Sequence, residues 1–233
     1  MTTHPAPAPA LVLVLASASP ARAQTLTNAG VRFEVLVSEV DEAAAVLAAE
    51  AVAGVDLEPA DVALLLARAK AEDVARRPDL PPGALVLGCD SVLDVDGAVQ
   101  GKPATAAEAT ARLTGLSGRS AVLHTGHWLV DVDHPTGRSA AAVGSATVHF
   151  AELDPDEIAA YVATGEPLRV AGAFTLDGLG GPFVRAIEGD HHTVVGLSLP
   201  LLRTLLRGFD VAWPQVWLTP AQSARRGAIP APT

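Results

Sequence analysis

The apolar residues of this chain come in short runs separated by helix-like stretches, and that spacing limits the fold before any single residue is weighed. Residues 11–16 (LVLVLA) form a continuous apolar run of the length expected for a strand buried on both faces. It breaks into Ser17-Ala18-Ser19-Pro20. Ser19 suits an N-cap, Pro20 the first helical position, and Gly30 the residue just past the helix end. The same alternation continues. Strands are predicted at 31–37, 84–93, 121–132 and 139–150, and helices at 58–76, 105–114, 154–163 and 193–206. Asp96-Gly97 marks a hairpin turn, His134-Pro135-Thr136-Gly137 a second turn, and Gly165 a helix stop. The expected fold class is α/β with a mixed β-sheet. One domain is expected over 11–210, with a disordered lead at 1–10 and a flexible tail at 219–233.

Residues 12–25 (VLVLASASPARAQT) pose a choice between an export signal and a strand that turns into a helix. A signal needs a positively charged opening, and residues 1–15 hold no Lys or Arg. The expectation is a cytoplasmic protein, which a single cysteine, Cys89, also suits. No apolar run approaches the ~20 residues of a membrane helix, so no membrane partner is expected. The net charge of −10 repels nucleic acid as a whole. An anionic ligand would need a local group of cations or a bound metal. Of the 16 basic residues only two are lysines, Lys70 and Lys102, in a chain otherwise supplied with arginine.

Several polar motifs interrupt the apolar runs. Ser17-x-Ser19-Pro20-x-Arg22 would bring two hydroxyls, free helix N–H groups and a guanidinium to one strand-to-helix turn. That is either an anion site or an ordinary cap with an exposed arginine. Asp41-Glu42 would suit Mg²⁺, or simply the positive end of a helix dipole. In LVLGCDSVL, Asp90 falls inside an apolar strand, where a carboxylate is costly unless paired, metal-bound or catalytic. The Asp96-Gly97 hairpin returns Gly101-Lys102-Pro103 alongside it, and Lys70 lies late on the preceding helix. The glycines of AGAFTLDGLGG (171–181) permit close backbone approach, such as around a flat base. The histidines lack the cysteine or HExxH spacing of a zinc site.

In this order LASASPAR, SEVDE, LARAKAEDVA, LGCDSVL, GKP, LSGR, TGEP, AGAF and VVGL resemble the Maf family of nucleoside triphosphate pyrophosphatases, over residues 11–208. The resemblance implies an elongated mixed β-sheet flanked by helices, in two lobes with a central cleft. It also implies a homodimer and hydrolysis of nucleoside triphosphates to monophosphate and pyrophosphate with a divalent cation, Mg²⁺ or Mn²⁺. Carried over residue by residue, it makes Asp90 the proton acceptor and a metal ligand, and Glu42 a metal ligand. Ser17, Ser19, Arg22, Lys70 and Lys102 become substrate-binding residues. The alternative is a non-catalytic nucleotide-binding regulator of septum formation. The chain departs from the family at Ala21, where a first arginine is common, and at Asp177, where the pyrimidine-selective branch carries glutamine. It departs again at Gly196-Leu197-Ser198, where the common tag is GLP.

Overall fold

The computed structural model describes residues 11–134 and 137–218. The lead at 1–10, the tail at 219–233, and Pro135 and Thr136 of the second turn lie outside the described residues. The first half of the chain supplies β1 (Val12–Leu15), α1 (Pro20–Asn28), β2 (Phe33–Val35), α2 (Glu42–Ala53), α3 (Pro59–Ala75), β3 (Ala84–Val95) and β4 (Ala98–Gln100). The second half adds α4 (Ala106–Leu116), β5 (Ser120–Asp131), β6 (Arg138–Phe150), α5 (Pro155–Ala163), β7 (Val184–Glu188), α6 (His191–Val195) and α7 (Leu199–Gly208).

The expected α/β architecture is present. The strands form one open mixed sheet in the order β2-β1-β3-β5-β6-β7, with β4 paired to β3 off this path. β1 runs parallel to both β2 and β3, and β3 through β7 pair antiparallel. The long strands carry two cores at their two ends. At one end Leu85, Leu87 and Leu129 pack with Leu26 of α1 and Leu202 and Leu206 of α7. At the other, Leu93, Leu123 and Phe150 pack with Leu113 of α4 and Ile158 of α5. The middle of the strands is polar or small, with Asp90, Ser91, Thr125 and Gly126 in register. That interruption separates two lobes built on one sheet.

One helix lies unusually close to this middle. A Cβ on Gly88 would stand 2.0 Å from the Ala67 carbonyl oxygen, and one on Gly126 would stand 2.3 Å from that of Ala63. Ala63, Ala67 and Ala71, one helical turn apart along α3, are fully buried. Small residues on both surfaces thus let backbone approach backbone, and dispersion contacts replace side-chain interdigitation.

The sequence expectations fail where packing overrides local pattern. The strand predicted at 31–37 is only Phe33–Val35. α2 is anticipated only at its Asp41-Glu42 start: its sequence EAAAVLAAEAVA is apolar nearly all round, so no face is marked, and none of its residues is fully buried. β7 is a short, half-exposed strand with no clear alternation. The helix predicted at 193–206 is two helices broken at Gly196, whose φ of 112° no helix accommodates. Ser198 restarts it: Ser198 Oγ accepts from Leu201 N (3.2 Å) and donates to Asp190 Oδ2 (2.5 Å). The Asp96-Gly97 turn is as expected, with φ of 56° and 84° at its two residues.

The restart is held from the sheet by His127, which is fully buried on β5. Its Nε2 accepts from Ser198 N (2.8 Å) and its Nδ1–H donates to the Thr125 carbonyl (3.1 Å), an arrangement only the neutral ring can make.

Two expectations follow from these contacts. Gly126→Ala should lower the unfolding free energy in urea by about 3 kcal/mol, at the upper end of overpacking costs. Gly115→Ala, in open space within α4, should be neutral or stabilising by up to ~1 kcal/mol. Burial, the largest influence, pushes the His127 pKa down from 6.5 to about 4. The unfolded chain therefore binds the extra proton first, and this contribution, present in full above pH 6.5, is lost as pH falls toward 4. The shift corresponds to roughly 3 kcal/mol. Urea titrations across pH 7 to 4 should show that fall, and His127→Gln should flatten it.

Candidate active site

The site begins as a gap in the sheet. β1 covers the outer edge of β3 as far as Leu87, where Ala16 N still bonds the Leu87 carbonyl (2.8 Å). β4 covers it again from Leu93. Residues 88–92 between them have no strand partner on that edge among the described residues, while β5 pairs the opposite edge throughout. The carboxyl ends of the parallel strands β1 and β2 deliver Ser17–Arg22 and Ser38–Glu42 to the same gap. This is where ligands meet open α/β sheets. A cleft of about 750 Å³ results, lined by Ser17, Ser19, Arg22, Glu42, Lys70, Asp90 and Lys102 on its polar side. Its other wall is largely apolar, with Leu123, Val170, Phe174, Leu176 and Val194.

On the α3 face of the gap, Lys70 Nζ lies 2.5 Å from Asp90 Oδ1 and 2.7 Å from Glu42 Oε1. Asp90 and Lys70 are buried and Glu42 is half-exposed. The close seating of α3 on Gly88 and Gly126 is what brings an ammonium at the helix to a carboxylate inside the sheet. Burial raises the Asp90 pKa above the ordinary value, against the opposing charges of Lys70 and Arg22. Burial also pushes Glu42 upward, but the Lys70 hydrogen bond and charge outweigh it and hold that carboxyl below its usual range. Of the two interpretations of the acidic pair, the helix N-terminus is the one seen. Asp41 Oδ1 caps α2 by accepting from Ala44 N (3.0 Å), while Glu42 turns to Lys70.

On the other face, Arg22 is buried and donates three ways: Nε to the Gly196 carbonyl (2.7 Å), Nη1 to Ser17 Oγ (3.0 Å) and Nη2 to Ser91 Oγ (3.0 Å). Ser19 caps α1, accepting from Arg22 N (3.4 Å). Lys102 is exposed on the cleft rim.

Glu166 fixes the apolar wall. Its carboxylate accepts from Tyr161 Oη (3.0 Å), Thr175 Oγ1 (2.5 Å), Leu179 N (3.2 Å) and Gly180 N (3.2 Å). Burial would raise its pKa, but these donors, Thr175 foremost, hold it below the usual range. The loop at 175–180 thus hangs on one carboxylate, and Asp177 on it lines the cleft.

A family model described as "Maf-like protein" matches residues 12–209. The chain belongs to the Maf-like protein family. It is 56% identical over 200 residues to a protein of Salinispora tropica, covering 84% of this chain and 83% of that one. It is 53% identical over 197 residues to one of Streptomyces coelicolor (84% and 90% covered). A third, from Nocardia farcinica, is 50% identical over 209 residues (87% and 94%). All three are named nucleoside triphosphate pyrophosphatase.

For this Maf-like chain, the seven residues carried over from the family line the same cleft: Ser17, Ser19, Arg22, Glu42, Lys70, Asp90 and Lys102; Asp41 does not. Ala21 lines it too, where the family commonly has another arginine. Sequence reading missed Ser91 and Thr125, whose only signal was a hydroxyl in mid-strand, and the hub role of Glu166 within TGEP. It marks Gly196-Leu197-Ser198 only as a departure from the family tag. In the structure Gly196 supplies an acceptor to Arg22, and Ser198 caps α7. Asp190, His191 and His192 stand close enough to share an ion, yet Asp190 is already engaged as the cap of α6 and the acceptor of Ser198.

Lys70→Met would leave Asp90 buried without its cation. Unfolding free energy should drop by about 3–5 kcal/mol, more at pH 8 than at pH 5, because the unpaired carboxyl then favours the proton. Adding Asp90→Asn to Lys70→Met should recover much of the loss, and urea titration of the two variants checks both.

Proposed function

We propose that this chain hydrolyses nucleoside 5′-triphosphates to the monophosphate and pyrophosphate, clearing non-standard or modified nucleotides. The observation that carries the proposal is the Lys70–Asp90 pair set in a sheet gap with Arg22 and Lys102 around it. The names of the relatives support it. The phosphate chain lies on the polar side, against the α1 N-terminus, the two serines, Arg22 and Lys102. The base lies against the apolar wall.

In the reaction, Asp90 orients a water and takes its proton as the oxygen attacks the α-phosphorus. The bond from that phosphorus to the bridging oxygen breaks, and pyrophosphate leaves with the electron pair. A raised pKa makes Asp90 a stronger base than an exposed aspartate. Arg22 and Lys102 offset charge on the departing group. Lys70 holds Asp90 and Glu42 in place.

Glu42 and Asp90 fit a Mg²⁺ or Mn²⁺ ion. Both offer hard oxygen donors, both are gathered on one ammonium, and Glu42 Oε2 and Asp90 Oδ2 have no hydrogen bond among the described residues. Bound there, the ion would neutralise phosphate charge and polarise the phosphoryl group. The charge balance calls for it: Glu42, Glu50, Asp90 and Asp177 face Arg22, Lys70 and Lys102 in the cleft.

We further propose a homodimer, on the family resemblance, and a cytoplasmic location. The latter is supported by a lone buried thiol, Cys89, whose pKa burial pushes up to about 12. A nucleic-acid partner is not part of the proposal, given the net charge of −10. No helix among the described residues is long and apolar enough to cross a membrane.

The test is pyrophosphate release from a panel of natural and modified triphosphates with Mg²⁺ or Mn²⁺. Asp90→Asn should lose at least about 10²-fold in kcat with unchanged circular dichroism. Normal turnover in that variant removes Asp90 from the role.

A further inference from the structure

Arg22 is a buried cation with no carboxylate in salt-bridge contact among the described residues, and only 8% of its surface is exposed. An isolated buried charge is costly unless its hydrogen bonds are met. They are met by neutral oxygens, and one of those oxygens belongs to a chain. Arg22 Nη2 donates to Ser91 Oγ (3.0 Å), Ser91 Oγ lies 2.8 Å from Thr125 Oγ1, and Thr125 Oγ1 donates to the Thr193 carbonyl (2.8 Å).

The direction of every link is forced. A guanidinium only donates and a carbonyl only accepts. Thr125 therefore spends its proton on Thr193 and must accept from Ser91. Ser91, having pointed its proton at Thr125, presents a lone pair to Arg22. Reversing either hydroxyl would set donor against donor. Thr125 is fully buried and does not line the cleft, whereas Ser91 and Arg22 do.

We propose that Thr125 is a positioning residue: it orients the Ser91 hydroxyl, and through it holds the Arg22 guanidinium toward the phosphate chain of the substrate. This rests on the nucleotide reading of the cleft and extends it to a residue that touches no ligand. The neutral acceptors fix Arg22 in place without cancelling its charge, so that charge stays available to an anion. A carboxylate in place of Ser91 would fix it equally well and neutralise it.

The experiment compares wild type, Thr125→Val and Thr125→Ser. Calorimetry measures affinity for inorganic tripolyphosphate, which has phosphates but no base, and steady-state kinetics measure KM and kcat with a nucleoside triphosphate. Thr125→Val, which keeps the shape and removes the hydroxyl, should weaken tripolyphosphate binding and raise KM by about tenfold, the size of one hydrogen bond. Thr125→Ser should restore both to within about twofold. A Thr125→Val protein that melts earlier but binds tripolyphosphate like wild type overturns the proposal and makes the chain purely structural. Should Thr125→Val not fold, nitrogen-15 NMR of the wild type decides: the Arg22 Nη protons should be resolved and slow to exchange. A freely rotating guanidinium overturns the proposal. A wild type that binds no tripolyphosphate and turns over no nucleotide sinks the nucleotide reading itself. Wild-type binding with an unaffected Thr125→Val sinks only the role of Thr125.

Discussion

The close contact between α3 and the sheet is the constraint on which the rest of this molecule depends. Alanines 63, 67 and 71 lie against a surface from which Gly88 and Gly126 have removed every side-chain atom. Two consequences come from one contact. The helix is fixed at a distance that larger residues would forbid. The Lys70 ammonium, one residue before Ala71, then reaches a carboxylate that the strand would otherwise strand without a partner. Packing and electrostatics are therefore not separate contributions here, because the first sets the separation at which the second acts.

The sheet gap gives that pair an opening. β1 is only four residues long and β4 only three, and neither reaches the polar middle of β3. The backbone between them leaves one edge uncovered, and the strand directs Asp90 to one face and Ser91 to the other. Around this edge the molecule places two different kinds of cation. Lys70 is matched by two acids and serves to hold them. Arg22 is matched by neutral oxygens and keeps its charge. An acidic protein can bind an anion this way because its local field need not follow its total.

Much of this was legible in the sequence, for identifiable reasons. Asp90 stood out because a carboxylate in an apolar strand demands an explanation, and both lysines stood out by scarcity. β3, β5 and β6 were visible as long runs bounded by turn residues, and α3 by the spacing of Val62 and Leu66. What escaped were features that leave no periodic trace. α2 rides on the surface, with Leu47 67% and Val52 91% exposed, so it has no apolar stripe to detect. The restart at Ser198 depends on His127, 71 residues away along the chain, and no local pattern reports such a partner. The hydroxyls of Ser91 and Thr125 look ordinary in isolation. Their meaning lies in which partner each hydroxyl donates to, which only three dimensions reveal.

The uncovered edge of β3 is bounded by strand ends and not by loops, so its length is fixed in whole residues. Five residues of extended backbone span about 16 Å, and that length cannot be adjusted smoothly. Lengthening β1 by a residue pair would close a whole rung, and shortening β4 would open one. A change in the length of this opening would therefore come in steps of the ladder.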